Sequence, residues 1–292
     1  MIYDPVDIDA HRAKLSSFHS ATGRIAYLDH GTGKTIFLIH GTPTHSWLYH
    51  HIIPSLVEAG YRVIVPDMLG FGRSDMLDIM PTYSLAMYSQ RMLELKRHLQ
   101  IDTYDLVLHD AGGPWTYSVV LETHSDLLHM VLFRTIVYAD GFKPPVRPKE
   151  NSLFSKILAE LYDSRVFGKL MVNSTLRSVA DKHKMSRQER RGYWRSISPG
   201  SDTPIRYFFT PLDEMVDSAE LFRKAVSGSD IDVSVIWGKT DVSPLADILV
   251  PLLRNHFSIP DNRVHVLEAT SHFLMEKEPD TVASLISQSI RA

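Results

Sequence analysis

No cysteine occurs among the 292 residues, so neither a disulfide framework nor a thiolate metal site is open to this chain. An excess of one charge is lacking too: 31 Lys and Arg stand against 34 Asp and Glu, a formal net charge of −3. That balance gives no electrostatic reason to expect a nucleic acid or an anionic membrane as partner. No apolar run approaches the roughly 20 residues needed to span a bilayer. The opening residues Met1 to Asp7 show no basic stretch followed by an apolar one. We therefore expect a soluble, cytoplasmic protein. What the chain does have is 44% hydrophobic residues, enough for one large core or two modest ones.

Short β-type runs alternate with amphipathic stretches, which predicts an α/β fold with a mostly parallel sheet. Strands are expected at Thr35–His40, Tyr61–Asp67, Tyr104–His109, His129–Val137, Asp232–Trp237 and Arg263–Leu267. Residues Ser17–Leu28 supply an antiparallel hairpin at the edge. Helical spacing occurs at Trp47–Ala59, Leu85–Leu99, Trp115–Glu122, Leu245–His256 and Thr281–Ile290. The alternation breaks after the proline-rich run Gly141 to Pro148, and a helical, charge-rich stretch follows. This divides the chain into a first core part (1–139), an inserted helical lid (140–213) and a second core part (214–292).

The chemistry concentrates at Leu106-Val107-Leu108-His109-Asp110-Ala111-Gly112-Gly113-Pro114. An apolar strand stops at a carboxylate, and two glycines permit the close backbone approach that a sharp strand-to-helix turn requires. A carboxylate attacking an ester would give a labile anhydride, whereas attack at a tetrahedral carbon bearing a leaving group gives a stable alkyl ester. Asp110 as a nucleophile therefore points to displacement at sp³ carbon. Ligands gather at the carboxyl ends of the strands in open α/β sheets. Asp241 and His272 each follow a predicted strand, and His272 is suited to deprotonate water while Asp241 orients its ring. The turn His40-Gly41-Thr42-Pro43 also follows a strand, and the Thr42 and Ala111 N–H groups could stabilise an oxyanion. Asp140 is a rival for the orienting acid.

The run Leu38 to Asp75, the HDAGG elbow and the segments around Asp241 and His272 together resemble the haloalkane dehalogenase and epoxide hydrolase branch of the α/β-hydrolase superfamily. The chain order of nucleophile, acid and histidine is also that of the superfamily. The resemblance covers most of residues 25–135 and 230–290 and fades in the lid. It implies a two-step hydrolysis of a small, mostly apolar electrophile through a covalent ester on Asp110, with no cofactor or metal and with a small molecule as partner, by a monomer or homodimer. The chain departs from the dehalogenase pattern in two places. Ala111 stands where a halide-holding tryptophan is usual, and Thr42 stands where asparagine or glutamate is common. Trp47, Trp115 or Trp194 would then have to approach the substrate from elsewhere. If epoxides are opened instead, the resemblance assigns the proton donors to the lid tyrosines Tyr162 and Tyr207.

Two other function classes fit the same residues. One is a cofactor-free ester or lactone hydrolase in which Asp110 acts as a base, and the other is a ligand-binding protein without catalysis. His40 and His109 read as structural. His45, His50 and His51 lie in or beside a predicted helix with no carboxylate at ligand spacing, so no metal is expected there.

Overall fold

The computed structural model describes residues 3, 7–42, 44–75, 83–138, 186–196, 212–240, 246–270 and 272–291, with only the backbone at 187, 194–196 and 212–217. The strands are β1 (Ser16–Ser20), β2 (Gly23–His30), β3 (Lys34–Ile39), β4 (Tyr61–Pro66), β5 (Tyr104–Asp110), β6 (Leu127–Thr135), β7 (Asp232–Gly238) and β8 (Val264–Leu267). They form one sheet in the order β1-β2-β4-β3-β5-β6-β7-β8. The β1–β2 and β2–β4 pairs are antiparallel and the other neighbouring pairs are parallel. The helices are α1 (Ile8–Arg12), α2 (Ile53–Glu58), α3 (Leu85–His98), α4 (Gly112–Glu122), α5 (Arg187–Ser196), α6 (Leu212–Ser227), α7 (Ala246–His256), α8 (Leu274–Lys277) and α9 (Pro279–Ser289).

The period of two in the strands divides their side chains between two cores, one on each face of the sheet. Phe37, Ile39, Leu106 and Leu108 enter one, while Ile36, Leu38 and Val107 enter the other. Both faces are buried, which is why the central strands read as nearly continuous apolar runs. The strand order reverses at β3, whose neighbours are β4 and β5. A crevice is therefore expected where the carboxyl ends of β3 and β5 diverge. Asp110 ends β5, and the His40-Gly41-Thr42 turn leaves β3 at the same edge.

Most predicted elements occur within one or two residues of their expected bounds, but three differences have clear causes. The predicted helix Trp47–Ala59 is split into a 3₁₀ turn at Ser46–Tyr49 and α2. Pro54 lies in the first turn of α2, where its fixed φ and missing N–H suit a helix start and not a helix interior. Helix α4 begins at Gly112, three residues earlier than periodicity indicates, because the two glycines carry no apolar side chain to register. Helix α6 was not foreseen; it packs on α4 through Tyr117 and Phe222, stacked at 4.3 Å.

Local signals fix the ends of other elements. Ser84 caps α3, its hydroxyl accepting the Met87 N–H at 3.1 Å. Replacing Ser84 by alanine is expected to lower stability by about 1 kcal/mol, read as a shift in the urea unfolding midpoint at unchanged slope. The buried Asp67 carboxylate accepts the N–H groups of Ser46 at 2.9 Å and Arg73 at 2.8 Å, tying the turn after β4 to the 3₁₀ turn. Burial opposes its ionisation, but the neighbouring His45 ring and these N–H donors outweigh it and hold the carboxyl below its ordinary range.

Candidate active site

Asp110 is held at φ +49°, in the left-handed region that few non-glycine residues adopt. Its backbone oxygen accepts the Thr135 hydroxyl at 2.7 Å, which helps stabilise the bend. The glycines expected at this turn are required by contact. A Cβ on Gly41 would lie 2.4 Å from the Asp110 side chain, and one on Gly112 would lie 2.8 Å from the carbonyl oxygens of Ile39 and His40. The β3 turn is thus pressed directly against the elbow.

The two carboxylate oxygens of Asp110 have different surroundings. Oδ1 accepts the Thr42 N–H at 3.0 Å, while Oδ2 faces the Arg134 guanidinium, with Nη1 at 3.3 Å. Both side chains are buried. A Cβ placed on Gly41 would also be 2.7 Å from the Ala111 nitrogen, so Thr42, Ala111 and the Asp110 carboxylate border one small space. The Thr42 hydroxyl is buried and has no hydrogen-bond partner among the described residues.

His272 is brought to the same end of the sheet. Its ring centroid is 4.7 Å from that of His109, the residue preceding Asp110, and 4.8 Å from that of Phe273. His109 Nε2 donates to the His272 backbone oxygen at 3.1 Å, so the elbow strand supports the histidine loop directly. Burial drives the His109 pKa well below its usual value, aided by the nearby His272, and keeps the ring neutral. His40 is neutral for the same reason, with its pKa lowered to about 4 by burial. Its Nδ1 donates to the Gly41 oxygen at 3.0 Å, and its Nε2 accepts the Met68 N–H at 2.9 Å. The structural roles expected of His40 and His109 fit this geometry.

Residues 34–279 match the family described as alpha/beta hydrolase fold. The chain belongs to that family. Haloalkane dehalogenase 2 of Mycobacterium tuberculosis is 28% identical over 277 residues, covering 92% of each chain. Epoxide hydrolase 3 of Xenopus tropicalis is 24% identical over 248 residues, covering 80% of this chain and 65% of its own. Among solved structures, a haloalkane dehalogenase from Paraglaciecola agarilytica, described as tetrameric, superposes with a TM-score of 0.74 at 20% identity, covering 92% of this chain and 90% of that one.

The other predicted site residues of this α/β-hydrolase fall into two groups. Asp241, Tyr162 and Tyr207, together with the rival acid Asp140, lie outside the described residues. The Trp194 side chain does as well. Trp47 is described and buried, stacked on His50 at 3.7 Å with its edge towards His11. Its indole Nε1 lies 2.3 Å from where a Gly192 Cβ would stand, so it forms a floor beneath α5. Trp115 stacks on Tyr88 at 4.6 Å.

Sequence reasoning missed Arg134. Its only sequence signal is a lone charge inside the apolar run HMVLFRTIV, and its φ of +50° marks a second strained position at this sheet edge. The histidines after the HG turn, which have no carboxylate at ligand spacing in the sequence, meet carboxylates from distant segments. His51 Nε2 lies 3.3 Å from Glu189 and 3.6 Å from Glu276, and His50 Nδ1 lies 3.7 Å from Glu276. Both carboxylates come from distant helices, α5 and α8, so no local ligand spacing could reveal them.

Proposed function

We propose that this chain hydrolyses a small, mostly apolar electrophile through an alkyl ester on Asp110, in the manner of the haloalkane dehalogenases and epoxide hydrolases it resembles. The observation that carries the reading is the asymmetry of the Asp110 carboxylate. Oδ1 is anchored on the Thr42 N–H, and Oδ2 faces the buried cation of Arg134. Oδ2 attacks the sp³ carbon in line with the leaving group, whose bond breaks as the pair of electrons departs with the halide or epoxide oxygen. His272, oriented by Asp241, then takes a proton from water, and the resulting hydroxide adds to the carbonyl carbon of the ester. The Thr42 and Ala111 N–H groups stabilise the tetrahedral oxyanion. Its collapse expels the alkoxide, which leaves as the alcohol with the proton from His272. The new Asp110 carboxyl gives up its own proton, to solvent after halide displacement or to the alkoxide of an opened epoxide, to restore the carboxylate.

Arg134 supplies a positive charge that the sequence, with Ala111 in the usual tryptophan position, does not advertise. A gap of 3.3 Å cannot hold a carbon atom between Oδ2 and Nη1, so the guanidinium withdraws as substrate enters and then faces the departing anion. The Thr42 hydroxyl, without a hydrogen-bond partner among the described residues, is a second donor, on the residue whose N–H holds Oδ1. Together they offer charge-assisted and neutral hydrogen bonds to a leaving anion without a tryptophan.

The test is the intact mass of His272→Ala after incubation with a panel of haloalkanes and epoxides. Without the base that activates water, the ester should accumulate. A gain equal to the alkyl group identifies halide displacement, and a gain equal to a whole epoxide identifies ring opening. A folded variant that forms no adduct on any of them, while the native protein turns over esters or lactones, would replace the nucleophilic reading with the base-catalysed one.

A further inference from the structure

A second cluster lies away from Asp110, where α5 meets the core. We propose that His51, Glu189 and Glu276 form a binding site for a divalent transition metal of the zinc class, which fastens α5 to the loop carrying His272. The three residues come from the turn before α2, from α5 and from α8, and their donors meet at His51 Nε2.

The distances suit coordination as well as the hydrogen bond that joins His51 to Glu189. His129 and Asp105 show a normal histidine–carboxylate hydrogen bond in this protein, at 2.7 Å. At His51 the nearest carboxylate oxygens stand at 3.3 and 3.6 Å. Donors about 2.0–2.2 Å from a tetrahedral zinc ion are separated from one another by roughly 3.3–3.6 Å. Glu276 is buried, and its Oε2 has no hydrogen-bond partner among the described residues. Its other oxygen, Oε1, accepts the Tyr193 hydroxyl, and Glu189 Oε2 accepts the Ser186 N–H. Each carboxylate is thus oriented through one oxygen while the other is directed towards His51, the arrangement that outer-shell partners impose on metal ligands. His50 borders the cluster with its ring 3.8 Å from that of His51, and donates from Nδ1 to the Trp47 oxygen at 2.7 Å. The His51 side chain is 36% exposed, which leaves an entry path for an ion and a place for water to complete the coordination.

The electrostatics agree. A bound dication would compensate both carboxylates at once.

The experiment uses the full chain, stripped with a chelator and dialysed, and titrated calorimetrically with zinc chloride. One equivalent is expected to bind with a Kd in the micromolar range or below and to raise Tm. Glu189→Gln and Glu276→Gln should each weaken binding at least tenfold, and cobalt(II) should give the visible bands of a four-coordinate ion that both substitutions remove. Glu189 is half-buried on α5, so its variant decides the matter if Glu276→Gln does not fold. Absence of binding, or binding that Glu189→Gln leaves unchanged, would overturn the proposal and leave the cluster as a hydrogen-bonded contact between helices.

Discussion

Asp110→Asn is expected to lower turnover by about ten-thousandfold or more, the scale seen when a member of a nucleophile–base system is removed. The substitution keeps the shape of the side chain, and asparagine tolerates the left-handed conformation at φ +49° as well as aspartate does. Its amide oxygen can still accept the Thr42 N–H, so the elbow should keep its form. What disappears is the anionic oxygen facing Arg134, and with it the nucleophile. Stopped assays with the best haloalkane or epoxide would measure the loss. Circular dichroism and a urea melt would separate it from misfolding. Combining the change with His272→Ala should abolish the covalent adduct that His272→Ala alone accumulates. An Asp110→Asn variant that keeps a tenth of the activity would remove this carboxylate from the chemistry.

The elbow was legible because its signals are local. An apolar strand that ends in Asp110 and two glycines is written in consecutive residues, and the contacts of Gly41 and Gly112 give those small residues their physical reason. The same holds for the parallel strands, whose pattern of two buried faces needs no knowledge of distant partners. Residues that act across the fold were not legible. A charge in an apolar strand gives no hint that it will meet the carboxylate at the end of the next strand, so Arg134 escaped notice. His51 was judged by the sequence around it, yet its carboxylate neighbours come from α5 and α8. Periodicity also missed the break at Pro54, because the apolar spacing continues through it and only the proline marks the new helix start.

The second large effect is expected at Arg134. Arg134→Met keeps much of the apolar stem and removes the guanidinium that faces Asp110 Oδ2. Two consequences oppose each other. An unpaired carboxylate is the stronger nucleophile, because no cation competes for its electrons. The leaving anion, however, loses a charge-assisted donor in a buried site, where such donors are worth most. The donor acts on charge that develops only as the bond to the leaving group breaks, so its loss should appear mainly in kcat and not in KM. We expect the second effect to dominate, lowering kcat/KM by about a hundred- to a thousandfold, or ~3–4 kcal/mol. The leaving group supplies the discriminating measurement. A poor leaving group depends more on stabilisation, so chloroalkanes should suffer more than the corresponding iodoalkanes. Equal losses across the halide series would instead make Arg134 a positioning residue for Asp110. Faster turnover in Arg134→Met would mean that its cation restrains the nucleophile in the native enzyme.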